Sequence, residues 1–225
     1  MTQTADTHTD PGTIRVSQNT DSAPVKNIFG TDGIRGAVGT APFTIEYLAR
    51  LGYALGLWAR KKYGASPSLL IAHDTRLSCS FIQAALESGL LLHSVDIFNA
   101  GVLPTPVVHY AVRTTKKYSC GIMISASHNP YHDNGLKIID SQHGKLTLED
   151  ELAISSLYAT ATTLPAAYDK LGTTTQIAHT DTAYADYVQA SFGANFLQGR
   201  TIVLDCAHGA TYRLAPALFK QCGAR

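Results

Sequence analysis

The chain has 225 residues, of which 45% are hydrophobic and 16% are charged, and its formal net charge is +1. These values are typical of a globular chain that buries a core and forms one or two domains. They give no indication of nucleic-acid or membrane-surface binding. No apolar run approaches the roughly 18 residues of a membrane-spanning helix. The four cysteines form no CxxC pair and no zinc spacing, and the amino terminus lacks a secretory apolar segment, so we expect a cytoplasmic protein.

Residues 1–25 are rich in Thr, Asp, Ser and Gln and contain almost no apolar side chains. Such a segment cannot bury enough surface to offset its ordering entropy, so we predict a disordered tail. Residues 27–29 are predicted to form a short strand that enters a glycine-rich turn at residues 30–36. Arg35 lies in that turn, where its guanidinium could bind a phosphate bidentately. The alternative is a purely structural ion pair between Arg35 and Asp32.

Strands and helices then alternate, which favours a layered α/β domain. Thr44 is predicted to cap a first helix whose Tyr and Trp side chains face the core, and a strand follows at residues 68–72. Asp74 and Arg76 lie in the loop after that strand. The next predicted elements are a helix at 80–93, a strand at 95–98, a helix capped by Thr105 that runs to residue 113, and a buried strand at 121–124.

The most informative stretch is CGIMISASHNPYHDNGLKII at residues 120–139. The buried strand delivers Ser127 and His128 to a polar loop, the Asp-Asn-Gly of residues 133–135 is predicted to form a second turn, and a returning strand carries Lys137. An exposed hydroxyl beside an imidazole and near an ammonium suits a serine that accepts an anionic group. The alternative is a polar connection in which Ser and His only cap backbone groups.

The remaining chain is predicted to contain a capping box at Thr147 and Asp150 that starts a helix. A Thr- and Ala-rich linker follows at 161–180, and residues 181–225 begin a second α/β unit. That unit has a helix capped by Asp181, a strand at 201–204 and a further helix. His132 and His143 are expected to be exposed loop histidines without a catalytic role.

Three segments together resemble the α-D-phosphohexomutase superfamily. ISASHNP followed by DNGLK resembles its phosphoserine loop, and FGTDGIRG (residues 29–36) and VLDCAHGATY (residues 203–212) resemble two further family segments in the same order. The form FGTDGIRG is similar to the phosphoglucosamine mutase branch. The chain departs from the family at Ala72-His73 and at Ser78-Cys79, where members usually have glycine, so the loop containing Asp74 and Arg76 could differ in conformation.

The resemblance implies an α/β/α domain I at 26–160, followed by the incomplete start of a second, similar domain. It implies that Ser127 carries a phosphate and donates it to a hexosamine monophosphate, giving a sugar bisphosphate that returns its other phosphate to the serine. Lys137 and Arg35 would supply positive charge, with Lys137 also as general acid or base. His128 and Asn129 would support or bind phosphate, and Asp74 and Arg76 would have supporting roles.

The family also implies Mg²⁺, bound by the phosphate on Ser127 and by aspartates of an Asp-x-Asp-x-Asp-Arg loop that this sequence lacks. We therefore expect a fragment with little activity alone, whose partner would be the missing carboxyl-terminal portion. The expected reaction interconverts glucosamine 6-phosphate and glucosamine 1-phosphate for UDP-N-acetylglucosamine and cell-wall precursors. The alternatives are a phosphomannomutase/phosphoglucomutase and a non-catalytic fragment.

Overall fold

The computed structural model describes residues 26–161 and 170–225. The predicted tail at 1–25 and residues 162–169 of the predicted linker lie outside this part of the chain. The described elements are, in chain order, β1 (Ile34–Ala37), α1 (Ile45–Tyr63), β2 (Ser68–His73), α2 (Ser78–Leu91), β3 (Asp96–Val102), α3 (Thr105–Thr114), β4 (Cys120–Ile124), β5 (Asp133–Asp140), β6 (Gly144–Lys145), α4 (Leu148–Thr160), β7 (Thr174–Gln176), α5 (Thr180–Phe192) and α6 (Leu214–Gln221).

The strands form one mixed sheet in the order β1-β5-β4-β2-β3-β7, with β6 paired to β5. Strands β2, β3, β4 and β7 are parallel to one another, whereas β5 is antiparallel to β1, β4 and β6. The carboxyl ends of β2, β3 and β4 therefore meet at one edge of the sheet, and β5 begins at that edge. Loops at this edge are the usual place for a functional site in such a sheet.

Alternate side chains along the strands enter two separate cores, one on each face of the sheet. On one face, Leu69 and Ile71 pack with α1, α2 and α4. On the other face, Leu70 and Ala72 pack with α3 and with residues of α5 and α6. The predicted α/β/α layering is thus confirmed, and it follows from the period-two alternation of a strand that is buried on both faces.

Two helix starts agree with the sequence patterns. The Thr44 side chain accepts a hydrogen bond from the Tyr47 amide at the start of α1. Thr147 and Asp150 form a reciprocal capping box at the start of α4. The aromatic stripe of α1 is core, since Trp58 is buried and its indole N–H donates to the Asp150 carboxylate.

Two other predicted caps are wrong. Thr105 is the first residue of α3, and Pro104 occupies the cap position in an extended conformation. Asp181 lies inside α5, whose cap position is taken by His179 in a left-handed conformation. Neither cap position is occupied by Ser, Thr, Asp or Asn, and neither Pro104 nor His179 makes a side-chain capping bond. The sequence therefore carries no capping signal at either boundary.

Four backbone predictions also need correction. Residues 133–135 are the start of β5 and do not form a turn, because they pair with β1. Residues 27–29 form no strand, and the ladder begins at Ile34. Within the predicted linker, β7 adds to the free edge of β3. Residues 201–204 form no strand, since no described strand pairs with them, although the Ile202 amide donates to the Arg225 carbonyl oxygen. The proposed division into domains remains a prediction.

Candidate active site

The loop at residues 125–132, here called the serine loop, joins the carboxyl end of β4 to the start of β5. Ser127 is exposed at its tip, in the left-handed region with φ of 59°. The Ser127 amide donates to the Ser125 hydroxyl at 3.0 Å, and the buried Ser125 amide donates to the Gly135 carbonyl at 2.8 Å. Ser125 therefore links Ser127 to the first residues of β5, which is a structural role.

Arg76 binds the backbone of the serine loop. Its guanidinium donates to four backbone carbonyl oxygens, those of Ser127 at 3.0 Å, Asn129 at 2.8 Å, Pro130 at 2.6 Å and Asp133 at 3.1 Å. The Arg76 Nε donates to the Asp74 carboxylate at 3.0 Å, which fixes the plane of the fork. A single side chain thus sets the path of the loop, as the planar donor geometry of arginine permits.

A small polar cluster lies beneath Arg76 where the sequence departs from the family pattern. The Cys79 thiol lies 3.2 Å from Asp74 Oδ1, and the buried Asn134 amide lies 3.5 Å from Cys79 Sγ and 2.9 Å from Ser78 Oγ. Burial raises the pKa of Cys79 to about 12, so it is a neutral donor. The thiol contacts Asp74, Asp74 holds Arg76, and Arg76 contacts the serine loop.

Asn134 is a residue that sequence reasoning missed. Its side chain is fully buried, and its Oδ1 accepts from the Gly135 amide at 2.8 Å. An Asn-Gly pair normally indicates a turn, so nothing in the sequence indicated that Asn134 is a buried strand residue. Its side-chain partner Ser78 is more than fifty positions away in sequence.

The two predicted cations converge on Asp32, and Arg35 also contacts the serine loop. Arg35 lies in β1 opposite Gly135 of β5 and donates to Asn129 Oδ1 at 3.1 Å and, at 3.5 Å, to the Ala126 carbonyl oxygen. It also contacts Asp32 at 2.6 Å, and Lys137 contacts the same Asp32 oxygen at 2.8 Å. The hydrogen bond from Lys137 lowers the pKa of Asp32; partial burial opposes this, and Arg35 adds to the lowering. Arg35 thus makes the ion pair with Asp32 that the structural alternative predicted, and it also contacts the serine loop. Its binding of a phosphate stays a prediction.

Asn129 and His128 occupy different positions on the loop. The Asn129 side chain bridges Arg35 and the Asp133 carboxylate, to which its amide donates at 3.0 Å, so it braces the loop. His128 is exposed and lines the cleft above the loop, as does His132. His143 is on the turn between β5 and β6, outside the lining of this cleft.

The cleft has a volume of about 1100 Å³ and is open to solvent. Its walls are the serine loop, the turn at residues 74–78, the start of α3 and the segment at residues 207–211. The last segment belongs to the VLDCAHGATY motif. It is joined to the first wall by the Thr75 hydroxyl, which donates to the His208 carbonyl oxygen at 2.5 Å. His208 lines the cleft, and sequence reasoning did not single it out.

Within residues 26–161 and 170–225, no three His, Cys, Asp or Glu side chains come together as a metal site. The protein donors at the cleft therefore do not make a complete site for a divalent cation. In the same part of the chain, no helix has the length and apolarity needed to cross a bilayer.

Residues 26–164 match the model of the phosphoglucomutase/phosphomannomutase alpha/beta/alpha domain I. The chain belongs to this family. It is also 43% identical over 204 residues to the phosphoglucosamine mutase of Burkholderia cenocepacia, and 43% identical over 205 residues to that of Burkholderia mallei. Each alignment covers 88% of this chain and 45% of the relative, so the chain spans about half the length of the curated relatives it matches.

Solved structures agree on the fold. A phosphoglucomutase/phosphomannomutase family protein from Burkholderia thailandensis superposes with a TM-score of 0.70 at 23% identity, over 88% of this chain and 43% of its own. A putative phosphomannomutase from Thermus thermophilus gives 0.63 at 29% identity, over 80% and 39%. The first likeness concerns the fold alone, because the sequence identity is low.

Proposed function

We propose that this chain provides the phosphoserine-bearing part of a mutase that interconverts glucosamine 6-phosphate and glucosamine 1-phosphate. The observation that carries the proposal is the exposed Ser127 hydroxyl on a loop that is braced by Arg76 and contacted by Arg35, whose partner Asp32 also pairs with Lys137. The sugar is inferred from the 43% identity to proteins named phosphoglucosamine mutase. Phosphoglucomutase/phosphomannomutase activity is the alternative, and no feature of the cleft favours it.

In the proposed reaction, the bond between Ser127 Oγ and phosphorus breaks as a sugar hydroxyl forms a new bond to phosphorus. The hydroxyl loses a proton and Ser127 Oγ gains one, and Lys137 is the candidate that carries it. Most catalysis of phosphoryl transfer comes from positioning and from stabilising negative charge on the transferring group. Arg35 and Lys137 supply that positive charge, and Asn129 holds Arg35 against the loop. His128, exposed beside Ser127, is the candidate hydrogen-bond donor to its phosphate.

Mg²⁺ is the proposed cofactor, and it would neutralise further charge on the phosphate. Among the described residues, a phosphate on Ser127 is the candidate ligand, since these residues form no carboxylate cluster at the cleft. We infer a cytoplasmic location because Cys79, Cys120, Cys206 and Cys222 are all free thiols. No nucleic-acid or membrane partner is proposed, and the remaining half of the relatives' length is the inferred partner portion.

Phosphorylation of Ser127 tests the proposal directly. The purified chain is incubated with Mg²⁺ and glucosamine 1,6-bisphosphate, and its peptides are analysed by mass spectrometry. We expect phosphate on the peptide that contains Ser127, none in Ser127→Ala, and unchanged labelling in Ser141→Ala, which alters a serine outside the cleft. Equal labelling of Ser127→Ala would contradict the site. We also expect negligible turnover of glucosamine 6-phosphate by the chain alone; multiple turnovers would contradict that expectation.

A further inference from the structure

Asp32 is the only acidic side chain among the described residues that contacts both site cations. Arg35 Nη2 lies 2.6 Å and Lys137 Nζ lies 2.8 Å from the same oxygen, Asp32 Oδ2. The Asp32 side chain is nevertheless 58% exposed, whereas those of the two cations are 28% and 23% exposed. An accessible carboxylate thus occupies the point at which two half-buried cations converge.

The chain places this carboxylate by a tight turn. The Gly30 amide donates to the Gly33 carbonyl oxygen at 2.9 Å, and Gly33 has a φ of +89°. A Cβ on Gly33 would lie 2.2 Å from the Leu136 carbonyl oxygen, so only glycine lets the turn lie against β5 beside Lys137. Lys145 ties the turn a second time, by donating to the Thr31 carbonyl oxygen at 2.8 Å. The position of Asp32 is therefore fixed by backbone contacts and not only by its own ion pairs.

A phosphoryl group needs the same donors that Asp32 now occupies. Each phosphoryl oxygen accepts charge-assisted hydrogen bonds. To donate them, Arg35 or Lys137 would have to give up its bond to Asp32. Arg35 already spans both partners, with Nη2 on Asp32 and Nη1 on Asn129 of the serine loop. Lys137 is linked to this arrangement through the same carboxylate oxygen of Asp32.

We propose that Asp32 is an exchangeable counter-ion: its carboxylate keeps Arg35 and Lys137 together until a phosphate displaces it from at least one of them. Asp32 is then a positioning residue that competes with the phosphate. The inference deepens the proposed function and rests on it. It means that the site trades some phosphate affinity for cations that are already assembled, which favours release of the phosphorylated sugar.

The direction of one affinity change distinguishes a counter-ion from a simple brace. Asp32→Asn keeps the size and the hydrogen-bonding oxygen but removes the competing charge. We expect it to bind inorganic phosphate about three- to tenfold more tightly than the unaltered chain, the range expected when two partly exposed ion pairs are relieved. Binding is measured by isothermal titration calorimetry at fixed ionic strength. Asp32→Glu, which restores the carboxylate, is expected to stay near the unaltered affinity.

Asp186→Asn is the matched control, because it removes the same charge from an exposed position on α5, away from the cleft. It should leave phosphate affinity unchanged. Weaker or equal binding by Asp32→Asn with an unaltered unfolding transition would overturn the inference. So would equal tightening in Asp186→Asn, or no measurable phosphate binding by any form. Tighter binding without any Ser127 labelling would refute the proposed function and leave the counter-ion role standing; labelling without tighter binding would do the reverse.

Discussion

Replacing Arg76 by alanine should loosen the serine loop and destabilise the whole domain. Arg76 makes five side-chain hydrogen bonds, three to serine-loop carbonyls, one to the Asp133 carbonyl at the start of β5 and one to Asp74, and its side chain is only 11% exposed. A hydrogen bond to a charged group contributes roughly 1.5–3 kcal/mol, but bonds from one guanidinium are not additive. The bonds to Ser127 and Pro130 are solvent-exposed and count for less.

The dominant cost is the carboxylate left behind. Asp74 is 8% exposed, and without Arg76 it would keep only the Cys79 thiol and the backbone amide of residue 76. Removing one partner of a buried ion pair costs about 3–5 kcal/mol, and we expect Arg76→Ala to lower the free energy of unfolding by about that amount. Arg76→Lys keeps the charge but loses the fork, so we expect an intermediate loss of about 2 kcal/mol.

Urea unfolding gives the energy, and amide hydrogen exchange gives the location. The informative amides are those of Ser127, Asn129 and Asp133, each of which is hydrogen-bonded within the loop. Arg113→Ala is the control, because Arg113 also donates to two backbone carbonyls, those of Ser141 and Gln142 on the turn between β5 and β6, but does so at an exposed site. It should cost less than about 1 kcal/mol. The reasoning is refuted if Arg76→Ala costs no more than Arg113→Ala and leaves exchange in the serine loop unchanged.

Three further predictions concern other parts of the fold. Burial alone would raise the pKa of Asp140, but hydrogen bonds from Lys62 and others lower it to about 2. The resulting stabilisation is complete above about pH 4 and is lost as the pH falls towards 2. Lys62→Met should therefore lower the free energy of unfolding by about 3–5 kcal/mol at pH 7. It should also weaken the dependence of that free energy, measured by urea unfolding, on pH across the same acidic range. Iodoacetamide should add one group to the native chain, at the half-buried Cys206, because the other thiols are buried; mass spectrometry showing several adducts without unfolding would contradict this. Gly135→Ala should cost about 1–3 kcal/mol in urea unfolding, since its Cβ would lie 2.6 Å from the Ser125 carbonyl oxygen, and an unchanged midpoint would contradict it.

The sequence predicted the layered core well, because the relevant signals are local. The alternation along β2 and the capping residues Thr44 and Thr147 depend on neighbours in the chain. The errors occur where a distant partner decides. Residues 133–135 have turn composition but are held as strand by β1, and β7 forms only because β3 has a free edge.

The roles predicted for the site residues stay predictions, and their spatial arrangement was predictable only in part. Ser127, Lys137 and Arg35 were identified from motifs, and the structure places Arg35 and Lys137 on one carboxylate. The bonds of Arg76 to four backbone carbonyls in and beside the serine loop were not predictable from residue type or spacing, since these acceptors are more than fifty residues away. Neither Asn134 nor the Thr75–His208 contact carries a sequence signature of its own.

The bracing of the serine loop has an energetic reason. A non-glycine residue in the left-handed region is disfavoured by about 1–3 kcal/mol in the more strained cases, and Ser127 adopts that region while exposed to solvent. An exposed loop would relax from this conformation unless the surrounding structure held it. Ser125 and Arg76 supply that restraint from opposite sides, through the Ser127 amide and carbonyl respectively. Both restraints act on backbone atoms of Ser127, so a modification of Ser127 Oγ would leave these hydrogen bonds in place.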